Sequence, residues 1–336
     1  MSRTGSGARG SEGRSGDDSL TDVPGIRVGH AEVEGGGSGC TVILGPFRAA
    51  ADVRGMATGT RELDALSPSH LVPRVDALLL TGGSAYGLGA ADGVMAWLED
   101  RGEGFTTPAG PVPIVPTAVI YDLASERPRP GPGVARKACE EAGTEPVACG
   151  RVGAGAGALV GKIEGRDRAS PGGLGSASRA VAGSTVGALA VVNALGDVRD
   201  GGGRILAGAR KEDGSFLDTA RVLREEGASG EFGATRPGES TTLAVVATDA
   251  PLAVVDLGRL ARMASTALAR RISPVNTPFD GDVTFALSTA EEEERPASGE
   301  ILALGAAATE ALERAIERAV GGPPSGGESG GEGRAP

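Results

Sequence analysis

The chain has 336 residues, a formal charge of −11, 40 % hydrophobic and 3 % aromatic residues, and 57 glycines, a glycine share more than twice the roughly 7 % of average proteins. The acidic balance contains no Lys/Arg run and no stretch reaches about 18 consecutive apolar residues, so neither nucleic acid nor membrane is expected as a partner. Cys40, Cys139 and Cys149 lack CxxC spacing and the only histidines are His30 and His70, which argues against a disulfide framework and a His-rich metal site; no metal or cofactor is expected, and any catalysis needs another base.

Residues 1–18 and 321–336 are Gly/Ser/Glu/Arg/Pro mixtures with too little apolar content to offset the entropy of ordering. Both are expected to be disordered tails around a body of 19–320. The N-terminus has no apolar h-region, and a cytoplasmic location is expected. Within the body, short β-branched or Leu-rich runs predict strands over 41–44, 77–80, 114–120, 186–193, 243–248 and 283–287. Helices are predicted over 132–143 and over 87–101, where Leu88, Ala91, Met95 and Leu98 recur at three- and four-residue steps. The stripe Leu257, Leu260, Ala264, Leu268 and Ile272 predicts a helix over 256–272. The last, over 298–320, has Ser298 as candidate N-cap, stops at Gly321-Gly322, and turns Ile301, Leu304, Ala308, Leu312, Ala315 and Ala319 to a core. Mixed strands and Ala-faced helices indicate a layered α/β or α+β body, because alanine lets a helix sit close on a sheet.

Segment 199–240 is polar and Gly-rich without a sustained strand or helix pattern, and reads as a long functional loop. It stops at Ser240-Thr241-Thr242, where the apolar run LAVVAT begins. A Thr-Thr pair is a good strand start on its own. The alternative is an N-terminal nucleophile: a break before Thr241 would free an α-amino group, with a pKa of roughly 7.7 to 8.0, on the residue whose hydroxyl it must deprotonate. By themselves, Lys162 after GAGAGALVG reads as a solvated lysine, Asn193 as a strand-end turn residue, and Asp280-Gly281-Asp282 as a turn feeding a strand. The glycine clusters TGGSAYGLG and GAGAGALVGK both fail the phosphate-loop pattern GxxxxGK[ST].

Eight motifs in order carry a resemblance. They are TDVPGIRVGH (21–30), GCTVILGP (39–46), LLLTGGSAYGL (78–88), VPIVPTAVIYDL (112–123), GAGAGALVGK (153–162), VGALAVVNALGDV (186–198), STTLAVVATDAPL (240–252) and TPFDGDVTFAL (277–287). Over residues 20–320 the chain resembles the DmpA-type self-processing aminopeptidases, which include β-aminopeptidases and nylon-oligomer hydrolases. The resemblance implies an α+β fold, the αββα-like sandwich of the DmpA/ornithine acetyltransferase superfamily, with Thr241 opening a central strand. It implies self-cleavage between Ser240 and Thr241 into an α chain, 19–240 of the body, and a β chain, 241–320.

Threonine at 241 and aspartates at 280 and 282 match the nylon-oligomer branch, so amide hydrolysis in short oligomers through an acyl-enzyme on Thr241 is expected. The same resemblance assigns Lys162 as the catalytic lysine, Asn193 as an oxyanion donor, Asp280 and Asp282 as groups orienting the nucleophile, and Tyr121 as a candidate wall or hydroxyl donor. It also implies homotetramers of processed units. An ornithine acetyltransferase-like acyltransferase and a non-catalytic scaffold of the same fold are the alternatives.

Overall fold

The computed structural model describes residues 18–321 apart from 73, 126, 182 and 226–237. Nine strands form one hydrogen-bonded system: β1 (Arg27–Glu32), β2 (Gly39–Val53), β3 (Thr60–Arg61), β4 (Val75–Thr81), β5 (Thr117–Val119), β6 (Gly173–Val181), β7 (Ser184–Asn193), β8 (Thr241–Thr248) and β9 (Val283–Ser288). Their order is β6-β7-β8-β9-β2-β4-β5-β3, with β1 on β2. Only the β8–β9 and β4–β5 pairs are parallel. The hinge is β2: residues up to Leu44 pair with β1, Cys40 to Phe47 pair with β4 across a register shift, and Arg48 to Val53 pair with β9. One long strand thereby joins two sheets.

Among the described residues there are six helices, α1 (Ala91–Glu99), α2 (Pro132–Glu140), α3 (Thr219–Glu225), α4 (Val254–Ala264), α5 (Thr266–Arg271) and α6 (Ser298–Ala319); α1, α2, α4 and α6 cover the sheets, whereas α3 packs through Val222 on Ile163 and Ala209. Strand alternation decides the layering, since successive side chains leave opposite faces. Ile43, Leu78, Leu80, Val191, Leu243, Val245 and Phe285 share one core between the sheets. From the same strands, Val42 and Leu79 pack with α1 and α2, whereas Ala190, Ala244, Val246 and Ala286 pack with α4, α5 and α6. The result is an αββα sandwich, as expected. Small residues set the layer spacing: a Cβ on Gly175 of β6 would lie 2.1 Å from the Ala315 carbonyl of α6.

Several expectations need correction. Strand 114–120 shrinks to β5, because Pro113 and Pro116 have no N–H to give a ladder. The helix at 87–101 is a 3-10 turn over Ser84–Ala90 followed by α1. The stripe at 256–272 divides into α4 and α5 around Ser265, whose hydroxyl bonds back to the Arg262 carbonyl at 2.9 Å. Ser298 is the first residue of α6 rather than its cap, and Ala297 precedes it without a side-chain bond.

Segment 199–240 is not structureless. It contains a strand at Ile205–Ala207 and helix α3, and residues 226–237 lie outside the described residues. The fully buried Asp197 organises it, accepting from Thr219 N (2.6 Å), Thr219 Oγ1 (2.8 Å) and Ala209 N (3.1 Å). Asp18, read as tail, is anchored too: its carboxylate takes Ser178 N at 2.6 Å and Arg318 Nη2 at 2.7 Å. The tails proper, 1–17 and 322–336, fall outside the described residues. Among the described residues no helix is long and apolar enough to cross a membrane.

Candidate active site

At one end of the sandwich β7 finishes, β8 starts, and β9 is about to start. Asn193 and Thr241 face each other as the last register pair of β7 and β8. Thr241 is 4 % exposed. Its Oγ1 donates to the carbonyl oxygen of the preceding residue, Ser240, at 2.6 Å. The same carbonyl accepts the Gly281 N–H at 2.8 Å. The peptide bond before Thr241 thus has a hydroxyl against it and a backbone donor on its oxygen.

Glycine is required at 281 by close approach. A Cβ there would lie 2.8 Å from Thr241 Oγ1 and 2.7 Å from the Ala57 carbonyl. The flanking aspartates lock this turn. Asp282 accepts Thr242 N (2.6 Å) and Asn276 N (3.0 Å), and Asp280 accepts Thr277 N (2.9 Å), Thr277 Oγ1 (2.6 Å) and Leu195 N (3.4 Å). Beyond β2, Arg54 and Gly55 donate to the Asp282 carbonyl and Ala57 to that of Asp280, clasping the turn from outside.

Lys162 is 0 % exposed, so its reading as a solvated lysine fails. Its Nζ donates to the carbonyl of Asn193 (2.8 Å), to Asn193 Oδ1 (3.2 Å) and to the carbonyl of Glu239 (2.7 Å). Burial pulls its pKa down to about 7 against the opposing charge of Asp280. Burial and the neighbouring Asp280 carboxylate push Asp282 up. Around neutral pH, protons are therefore easily redistributed here, as befits acid–base chemistry.

The structure brings Ser240, Thr241, Lys162, Asn193, Asp280 and Asp282 together. Three details differ from expectation in the intact chain. The Asn193 amide is engaged, its Nδ2 donating to the carbonyls of Tyr121 (3.1 Å) and Glu239 (3.4 Å) while Oδ1 accepts Leu159 N at 3.1 Å. Tyr121 meets the site through that backbone carbonyl. The aspartates hold backbone donors next to Thr241 rather than Thr241 itself. Sequence reasoning missed Gly281 as a donor, because a backbone N–H leaves no mark in side-chain identity; the one available signal was a glycine held between two acids.

Comparison with known proteins gives the family of the chain. An uncharacterized aminopeptidase of Mycobacterium tuberculosis is 42 % identical over 323 residues, covering 88 % of this chain and 91 % of the relative. A 6-aminohexanoate-oligomer endohydrolase of Kocuria is 32 % identical over 274 residues, covering 80 % and 74 %. The L-aminopeptidase D-Ala-esterase/amidase of Ochrobactrum anthropi, described as a variant of the Ntn hydrolase fold, superposes with a TM-score of 0.66 over 90 % of this chain and 86 % of that one, at 21 % identity. Residues 18–323 match the family model, and the chain belongs to Peptidase family S58.

Proposed function

We propose that this hydrolase cuts itself between Ser240 and Thr241 and then cleaves amide bonds of short oligomers through an acyl-enzyme on Thr241. The observation that carries the reading is Thr241 Oγ1 lying 2.6 Å from the Ser240 oxygen, with Gly281 N–H on that same oxygen. In the self-cleavage, Oγ1 bonds to the Ser240 carbonyl carbon and gives its proton to Lys162, directly or through a water. Charge developing on the oxygen is met by Gly281 N–H. The C–N bond then breaks, the Thr241 nitrogen takes the proton, and an ester remains. Water hydrolyses it to the Ser240 carboxylate and the Thr241 hydroxyl, leaving one chain that ends at Ser240 and another that starts at Thr241 with a free amine.

In turnover the Thr241 amine accepts the hydroxyl proton as Oγ1 attacks a substrate carbonyl, and returns it to the leaving amine. Deacylation by water regenerates the hydroxyl. Departure of Glu239 and Ser240 frees the Asn193 amide to act as a second oxyanion donor. The relatives named as an aminopeptidase and a 6-aminohexanoate-oligomer endohydrolase support the reaction class. Processed units form homotetramers in the cytoplasm in this reading. The test is hydrolysis of a p-nitroanilide panel and a 6-aminohexanoate trimer by purified protein: activity is expected in wild type and absent in Thr241→Ala. Acetyl transfer from N-acetylornithine to glutamate without amide hydrolysis would instead select the acyltransferase.

A further inference from the structure

The two glycine clusters that fail the phosphate-loop pattern converge on one buried carboxyl. Asp122 is 1 % exposed, and its Oδ1 accepts the Gly83 N–H of TGGSAYG at 2.7 Å. A Cβ on Gly82 would collide with its Oδ2, and one on Gly157 of GAGAGALVGK would come within 2.7 Å of the same oxygen. The chain just before Asp122 is stitched to the first cluster as well: Ile120 N–H donates to the Thr81 carbonyl and Ser84 N–H to the Ile120 carbonyl, both at 2.9 Å. The Asp122 side chain stands where both glycine-rich turns close, and the chemistry proposed above does not use it.

Both turns lead to Asn193. Tyr121, the residue before Asp122, offers its carbonyl to Asn193 Nδ2 at 3.1 Å, and Leu159, two residues beyond Gly157, donates its N–H to Asn193 Oδ1 at 3.1 Å. These two partners settle which end of the amide points where, because a carbonyl only accepts and a backbone N–H only donates. One hydrogen of Nδ2 stays on the Tyr121 carbonyl. The other lies towards the Glu239 carbonyl at 3.4 Å and passes to the oxyanion once Glu239 leaves.

We infer that Asp122 is a positioning residue for turnover: by pinning the Tyr121 segment against Gly83 and Gly157, it aims the Asn193 amide at the oxyanion. The inference rests on the proposed hydrolase reading and adds a residue to it. Asp122 acts through the Tyr121 carbonyl and the Leu159 N–H, not on the substrate. Truncation to Ala leaves the Gly83 N–H without its acceptor and opens a void between the turns, which lets the Tyr121 carbonyl shift. An oxyanion donor displaced by about 1 Å costs on the order of a hundredfold in rate. Burial pushes the Asp122 pKa up, so its surroundings do not favour a charge, and Asn, with the same shape and an oxygen for Gly83, is expected to substitute.

The experiment measures hydrolysis of a p-nitroanilide or a 6-aminohexanoate trimer, per Thr241 N-terminus, in Asp122→Ala, Asp122→Asn, Asn193→Ala and the double variant Asp122→Ala/Asn193→Ala. Asp122→Ala is expected to lower kcat by about ten- to a hundredfold with KM within about threefold of wild type, and Asp122→Asn to restore kcat to within about threefold. Asn193→Ala is expected to cost on the order of a hundredfold or more by itself. Adding Asp122→Ala to it is expected to cost no more than about twofold further, because the group being aimed is gone. An unchanged kcat in Asp122→Ala, or full multiplication of the two losses in the double variant, overturns the inference and leaves the hydrolase reading intact. If the alanine variant does not fold, Asp122→Ser, whose oxygen stops one bond short of the Gly83 N–H, replaces it with the same expectations. If the wild type cleaves no anilide or oligomer, the hydrolase reading falls; crystal structures of wild type and Asp122→Ala then decide the positioning, an Asn193 amide turned away from the Tyr121 carbonyl supporting it and an unmoved amide overturning it.

Discussion

Replacing Lys162 by Met removes the charge and keeps the length. In the folded chain burial pulls the Lys162 pKa down to about 7 from its ordinary 10.5. A difference of that size corresponds to about 5 kcal/mol of disfavoured charge. The folded value lies below the unfolded one, so the full penalty applies below pH 7 and is relieved as pH rises towards 10.5. Met removes the penalty, but the carbonyls of Asn193 and Glu239 lose this donor, at about 1 to 3 kcal/mol for each oxygen left unsatisfied. These effects oppose one another, so Lys162→Met should fold, and should lack the wild-type gain in stability between pH 7 and 10.5. Self-cleavage should nonetheless slow by about a hundred- to ten-thousandfold, the usual contribution of a positioned base. The assay follows the intact 33.3 kDa chain into fragments on denaturing gels from pH 6 to 9. Wild-type processing should rise with pH through about 7 and level off. Processing of the variant at the wild-type rate with the same pH dependence would refute the role given to Lys162.

Gly281→Ala places a Cβ within 2.8 Å of Thr241 Oγ1, so processing should slow by on the order of a hundredfold, as for a displaced oxyanion donor, on the same gels; an unchanged rate contradicts the assignment. Burial lowers His30 to about 4 from 6.5, so its contribution to stability is present above pH 6.5 and lost as pH falls towards 4. Urea titrations of the wild type should show a loss of about 3 kcal/mol across that window beyond the loss in His30→Gln, and equal slopes would remove His30 as the cause. Light scattering of the processed protein should give the mass of four units with both fragments present, and the mass of one unit at micromolar concentration counts against the tetramer.

The strand runs of the central sheets were legible because their β-branched and leucine residues are continuous and buried on both faces, as in LAVVAT of β8. Element ends were less so: Ser265 splits a helix whose apolar stripe runs unbroken, since α4 and α5 share one core. The order in 199–225 was hidden because one carboxylate, Asp197, organises it through contacts 12 and 22 residues away. At the candidate site, Thr241, Lys162, Asn193, Asp280 and Asp282 were named through family motifs, and the structure places them side by side. Neither composition nor periodicity distinguishes a buried lysine from a solvated one. The backbone groups that complete the site, Gly281 N–H and the carbonyls of Glu239 and Tyr121, depend on chain path and carry no residue signature.

Mass spectrometry with N-terminal sequencing of the purified wild-type protein tests the central claim most directly. Two chains are expected, one of them starting at Thr241, and Thr241→Ala should remain a single chain. A wild-type protein that stays intact at neutral pH, or a new N-terminus at any other residue, would contradict Thr241 as the self-released nucleophile.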